Sequence, residues 1–331
     1  MPESAAVAWP WLRARLAGLR PAPRLGVPAA DQPQARTAVV TDSAAALPAE
    51  WLAAHSGEGA LTVIPMPVMV GADIYGEGED DILETIAVAL ASGVAVKTSR
   101  PSPGQFEQAF RAAKARGYDA VVSIHMSAEL SGTADAARLA ASKVDIPVDV
   151  VDSRTVGMAQ GMAVQAAVAA AALGADAAMV VASALGQADR TRVLFYVPSL
   201  EQLRRGGRIG AAASLVGTML AIKPLLAVDG GKIVPLEKVR SAAKAIARLE
   251  ELVAEEVRLH PVPIPRLAVH HFGNSAEAVA LAGRLAADLP QCEPAQISSL
   301  PAVLAAHAGL GVLAVIVGHD LPDEIVSELS T

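Results

Sequence analysis

The sequence predicts an α/β protein of two α/β domains, with a parallel sheet in the first, a mixed sheet in the second and a ligand held between them. Three observations carry this. From residue 37, short apolar β-rich runs alternate with segments of helical spacing, the pattern of a parallel sheet covered by helices. After about residue 155 the pattern changes to Ala-rich helices, a hairpin signal and further strands. Short hydroxyl-rich clusters stand at the ends of several apolar runs, where α/β folds gather small ligands. The expected boundaries are an arm over 1–36, poorly ordered by composition, an N-terminal domain over 37–155 and a C-terminal domain over 156–331.

Residues 1–36 hold five arginines, two acids and six prolines, a composition that favours a poorly ordered arm over one short helix at Trp9–Leu16. Ala38-Val39-Val40 reads as the first strand. Leu61–Val70 reads as one strand, edge-placed or irregular because Pro65 and Pro67 cannot donate to a ladder. Asp80–Ser92 and Pro103–Arg116 have helical spacing, the second ending at Gly117 as a C-cap would. Ala120–Ile124 and Val148–Val151 are β-rich. Gly161–Gly186 is Ala-rich but interrupted by Gln165 and Asp176, so it reads as two buried helices and not a membrane span. A strand at Arg192–Val197 is followed by helices at Ser199–Arg205 and Ala211–Ala221. Ile222–Val228 and Lys232–Pro235, joined by Asp229-Gly230-Gly231, form a hairpin. Ser241–His260 is a long amphipathic helix. Strands at Ile264–Val269, Ala295–Ser298 and Leu313–Val317 and a helix at Ser275–Leu289 complete the chain.

Composition narrows the function. The chain has 331 residues, 53% of them apolar and 18% charged, with aromatics at 3% and a formal charge of -7. Few aromatics and net negative charge count against nucleic-acid binding. Cys292 is the single cysteine, so no intrachain disulfide or cysteine–metal cluster can form. No secretory leader is visible and no integral membrane insertion is expected. The expected location is the cytoplasm.

The polar clusters are the candidate site. Thr41-Asp42-Ser43 and Asp152-Ser153 follow strands, and helix N-capping is their alternative reading. Thr98-Ser99-Arg100-Pro101-Ser102-Pro103 puts hydroxyls and a fixed charge at a helix start, an arrangement that favours anions. Ser127 and Ser131-Gly132-Thr133 precede another helix, with Gly132 permitting close backbone approach. His307 stands before Ala308-Gly309-Leu310-Gly311. That glycine run leads into a strand and not from a strand into a helix, which rejects a dinucleotide fingerprint. His270-His271 ends a strand, so the two rings face opposite ways and do not form a metal pair. Neither a phosphate loop nor a nucleophile elbow is present. Arg204-Arg205-Gly206-Gly207-Arg208 is a solvated turn or a docking patch for an anionic partner.

Taken in order, these pieces resemble the DegV family of bacterial fatty-acid-binding proteins. Leu47-Pro48, Gly157, Gln160-Gly161, Ile209, Lys223-Pro224-Leu225-Leu226, Lys238 and Arg240 extend the match across roughly residues 37–317. The resemblance implies one long-chain fatty acid buried between the domains and no other cofactor. It further implies that a separate ATP-dependent kinase subunit phosphorylates the acyl carboxylate for phospholipid synthesis, this chain being a carrier and not itself an enzyme. Carried over, Thr98, Ser99, Ser127, Ser131, Gly132 and His307 surround the carboxylate. Asp42, Ser43, Arg100, Asp152, Ser153 and Gly309 support the crevice, and Arg204, Arg205 and Arg208 dock the kinase. Three positions depart from the family pattern: Arg100 replaces a glutamine, Ala128 a serine and Leu310 a proline.

Elementary energetics agree with a lipid. A saturated chain of about sixteen carbons gains on the order of 10 kcal/mol on leaving water, at roughly 0.8 kcal/mol per methylene. Its buried carboxylate then needs several donors. Two other readings stay open at this level: a self-sufficient hydrolase or phosphotransferase using Ser131 or Ser127 with His307, and a lipid-responsive interaction protein.

Overall fold

The computed structural model describes residues 35–76, 82–215, 222–260 and 265–319. The arm expected over 1–36 lies almost wholly outside this range, as does most of the helix expected at Ala211–Ala221. Of that helix, a 3₁₀ segment at Gly210–Leu215 is described.

The N-terminal part carries a four-stranded parallel sheet. Its strands are β1 (Thr37–Asp42), β2 (Leu61–Ile64), β6 (Ala120–His125) and β7 (Val148–Asp152), in the order β2-β1-β6-β7. The apolar run at Leu61–Val70 is not one strand. Pro65 and Pro67 interrupt the ladder, and the chain leaves β2 to form β3 (Val68–Val70) in a separate small sheet with β4 (Asp73–Tyr75) and β5 (Val96–Thr98). The order of that antiparallel sheet is β4-β3-β5, with Thr98 paired to Val68.

Helices α1 (Ala49–His55), α2 (Ile82–Ala91), α3 (Pro103–Ala115) and α4 (Thr133–Ala141) connect these strands. Ser102 and Gln105 make a capping box around α3, with Pro103 in the first turn. The Ala-rich stretch forms α5 (Met158–Ala172) and α6 (Ala177–Asp189), separated near Gly174 and capped at Asp176. Among the described residues no helix is long and apolar enough to cross a membrane.

The C-terminal part carries a six-stranded mixed sheet. It contains β8 (Thr191–Tyr196), β9 (Lys223–Asp229), β10 (Lys232–Val239), β11 (Pro265–His271), β12 (Gln296–Ser299) and β13 (Leu313–His319). The order is β10-β9-β8-β13-β11-β12, antiparallel throughout except for the parallel pair β11–β12. The hairpin β9–β10 turns at Gly230 and Gly231, both at positive φ, where glycine carries no Cβ penalty. Helices α7 (Glu201–Arg205), α8 (Ala242–Leu259), α9 (Ser275–Asp288) and α10 (Ala302–Ala308) complete this part. The amphipathic face of α8 buries Leu249, Val253 and Val257 against the outer side of the sheet.

The inner side of that sheet packs elsewhere. Val193, Phe195, Ala314 and Ile316 join Met66, Val68, Met126 and Met158 in one apolar cluster that bridges the two parts of the chain. Short α10, not foreseen from the sequence, supplies Val303 and Ala305 to the same cluster. The chain is thus a mixed α/β fold, parallel in its N-terminal part and mixed in its C-terminal part.

Candidate functional site

A cavity of about 300 Å³ opens inside the bridging cluster. Its apolar wall includes Phe195, Ile233, Val303, Val312, Ala314 and Ile316. The alternation of β8 and β13 explains this wall, since every second side chain of each strand faces inward. No carboxylate lines the cavity among the described residues.

The polar lining residues other than His270 adjoin one another. Thr98, the last residue of β5, shares a 2.7 Å hydrogen bond with His307 Nε2 from the last turn of α10. Ser131 and Gly132 enter from the loop before α4, and the Ser131 hydroxyl bonds Thr133 Oγ1 at 2.8 Å. Ser99 and Arg100 follow Thr98 at the rim and are exposed. The Arg100 side chain lies against Gly132, where a Cβ would come within 2.7 Å of its guanidinium. Gly132 therefore makes room for a neighbouring side chain. Arg208 also lines the cavity, its guanidinium donating to the carbonyls of Leu130 at 3.0 Å and Gly206 at 2.6 Å. Gly206 is needed for the histidine, because a Cβ there would overlap the His307 ring.

Burial, and then the positive charge of Arg208, push the His307 pKa down to about 4. At neutral pH the ring is uncharged, and it can be either donor or acceptor to a ligand or to Thr98. Fixed positive charge at this end comes from Arg100 and Arg208. The arrangement can hold one anionic head group with an apolar tail beyond it.

Thr98, Ser99, Arg100, Ser131, Gly132 and His307 thus line one cavity, while other singled-out residues lie elsewhere. Ser127 is fully buried and donates to the Gly231 carbonyl at 2.7 Å, so its hydroxyl ties the β9–β10 turn and does not face the cavity. Asp42 is also fully buried; it accepts from the Ala44 and Met126 backbone N–H groups and from His125 Nδ1 at 2.9 Å. Ser43 accepts from the Met66 N–H, and Asp152 from the N–H groups of Ala128 and Arg154. Ser153 is buried against Thr155. Gly309 caps α10 at φ 81° and so sets the exit from His307. Arg204 and Arg205 are exposed and ion-paired to Glu201, whereas Arg208 has turned inward.

Two features escaped the sequence reading. His270 forms part of the cavity wall, fully buried. Its Nε2 accepts from the Met158 N–H at the start of α5, so Nδ1 carries the proton shared with Ser298 at 3.0 Å. Burial holds its pKa down to about 4. His271, on the opposite strand face, is partly exposed, as alternation required. The second feature is a sealed Asp42–His125–Ser123 relay, with His125 Nε2 2.7 Å from Ser123 Oγ. Ser123 and His125 lie two apart in β6 and so share a face, which is the signal that could have revealed them.

The sequence model for the family described as "Uncharacterised protein, DegV family" matches residues 36–319. A DegV domain-containing protein of Streptomyces coelicolor is 45% identical over 280 residues, covering 85% of this chain and 97% of that protein. Among solved structures, a fatty-acid-binding DegV family protein from Thermus thermophilus superposes with a TM-score of 0.79 at 30% identity, covering 86% of this chain and all of the other. DegV of Bacillus subtilis, a fatty acid binding protein, gives a TM-score of 0.76 at 32% identity over 86% of this chain and all of the other. The chain belongs to the DegV family.

Proposed function

We propose that this protein binds one long-chain fatty acid in the cavity and presents its carboxylate to a separate ATP-dependent kinase subunit for acyl-phosphate formation. The observation that carries the lipid reading is an apolar cavity whose polar lining holds Arg100, Arg208, the neutral His307 and hydroxyls, with no carboxylate among the described residues. Fatty-acid binding by the Thermus and Bacillus relatives of the same fold supports it. In this reading Thr98, Ser131 and His307 bond the carboxylate, Gly132 offers its backbone N–H, Ser99 flanks the head group with its own N–H held by the Pro67 carbonyl at 3.1 Å, and Arg100 and Arg208 balance its charge. Asp42, Ser43, Asp152, Ser153, Ser127 and Gly309 brace the surrounding loops. The domain division near residue 155 belongs to the same proposal, with the ligand spanning the apolar cluster that bridges both parts.

Kinase presentation rests on the rim. Ser99 and Arg100 are exposed, so the head group lies near the surface while the tail is enclosed. Arg204 and Arg205, beside the inward Arg208, form the docking patch. A carrier role also fits the hydroxyl pairing. His307 Nε2 is engaged by Thr98 and Ser131 by Thr133, so neither serine reading of a hydrolase has its base aligned. The test is reconstitution with a fatty acid kinase subunit, ATP and magnesium. Acyl phosphate should form only when both proteins are present, and turnover by this chain alone, or none with any kinase, would contradict the proposal.

A further inference from the structure

Away from the cavity, the end of α8 meets the end of β13. Glu256 lies in the last turn of α8 and His260 follows four residues later, so both project from one side of the helix. β13 delivers His319 to the same place. One candidate donor atom from each of the three residues lies within 4.8 Å of the others. His260 Nδ1 is 3.1 Å from Glu256 Oε1, and the rings of His260 and His319 have centroids 5.2 Å apart.

The second observation is chemical. His319 is only 4% exposed, yet neither of its ring nitrogens has a hydrogen-bond partner among the described residues. Glu256 Oε1 is buried beside it and also accepts no aligned hydrogen bond. Buried polar atoms are normally satisfied, yet Glu256 Oε1 and one nitrogen of the His319 ring meet here without an aligned hydrogen-bond partner among the described residues. Two imidazole nitrogens and one carboxylate oxygen form a donor set suited to borderline dications, leaving a fourth position for water.

We propose that Glu256, His260 and His319 form a divalent transition-metal site, suited to Zn²⁺, that staples the end of α8 to β13. Binding moves the three side chains onto a common centre and satisfies one nitrogen of the buried His319 ring. Two cations oppose it. Arg192 Nε lies 3.6 Å from Glu256 Oε1, and Arg190 Nε donates to the His319 carbonyl. Arg192 is half-exposed and can yield its carboxylate to the metal by turning to solvent. His319 lies far from the Glu256–His260 pair in the chain, so the full ligand set was not visible in the sequence.

The test uses the full, tag-free chain, dialysed against chelator and titrated with ZnCl₂ by calorimetry, with Co²⁺ absorption as a second readout. The expected result is one Zn²⁺ per chain, a raised melting temperature and the visible bands of four-coordinate Co²⁺. Loss of a direct ligand in His319→Gln should weaken Zn²⁺ binding by more than about 100-fold, beyond what outer-shell changes cost. Arg192→Gln should tighten it. Absence of stoichiometric binding by the unaltered chain overturns the site, as does unchanged affinity in His319→Gln. Should His319→Gln fail to fold, Glu256→Gln, which keeps the side chain's size and removes its charge, decides by the same criterion.

Discussion

His125 and His307 each share a 2.7 Å hydrogen bond with a hydroxyl, Ser123 in one case and Thr98 in the other. The pairs are alike in chemistry and opposite in setting. His125 is sealed: Asp42 holds its second nitrogen, Phe106 stands edge-on to its ring at 5.1 Å, and none of the three polar residues is exposed. His307 is sealed on one side only. Beyond it lies the apolar cavity, with Arg208 and Arg100 at the same end. A complete serine–histidine–aspartate relay is here a brace for β1 and β6. The incomplete pair is the one that can meet a ligand. Roles follow from what surrounds a motif and whether a substrate can reach it.

The contrast can be broken at either end, and the largest effect is expected at the sealed cluster. Asp42→Ala leaves three buried donors without an acceptor, at roughly 1–3 kcal/mol each, so urea unfolding should show at least about 3 kcal/mol lost. A marginal loss would mean that the cluster is not structural. At the open pair the expected damage is to binding instead. His307→Ala should weaken fatty-acid binding by about 1.5–3 kcal/mol, the range for a hydrogen bond to a charged group, while fatty-alcohol binding and the unfolding midpoint change little. Equal loss for acid and alcohol would place His307 outside the head-group site.

The apolar wall gives a finer test. Ala314→Phe fills part of the cavity beside Ile316 and Val312, so preference should shift to shorter acyl chains, each displaced methylene removing about 0.8 kcal/mol. An unaltered chain-length profile would put the tail elsewhere. Acidity gives a further check. His307 and His270 both have folded pKa values of about 4, against an ordinary value near 6.5. As pH falls from 6.5 to 4 the unfolded chain takes up protons first, so stability from these two groups is present above 6.5 and lost across that window. Replacing His270 with glutamine, which cannot titrate, should flatten the melting-temperature slope there. The smallest effect is expected at Arg204→Ala with Arg205→Ala, exposed ion pairs whose loss should leave folding and lipid binding unchanged and lower only the rate with the kinase.

The elements of regular period were legible in the sequence. The strand-helix alternation, the split of the Ala-rich stretch at Asp176, and the β9–β10 hairpin all follow from local chemistry, whereas Gln165, read as the other interruption, lies inside α5. Most of what failed was long-range. Pro65 and Pro67 signalled an irregular strand but not that β3 would leave the parallel sheet to pair with β5. Short α10 was missed although Pro301 before it, its run of Ala and Leu and the Gly309 cap at φ 81° are local helix signals. Thr98 and His307 were visible as polar residues near strand ends, while their contact across the chain was visible only through the family pattern. Arg208 looked like part of an exposed basic turn because two neighbouring arginines are exposed. Its inward turn depends on the carbonyls of Leu130 and Gly206, which sequence does not place.

The most direct test of the central claim is native mass spectrometry of the purified chain, followed by denaturing extraction and lipid analysis. The account predicts one fatty acid per protein chain, released on unfolding and lost or reduced in His307→Ala. An empty protein that also fails to take up added fatty acid would contradict it.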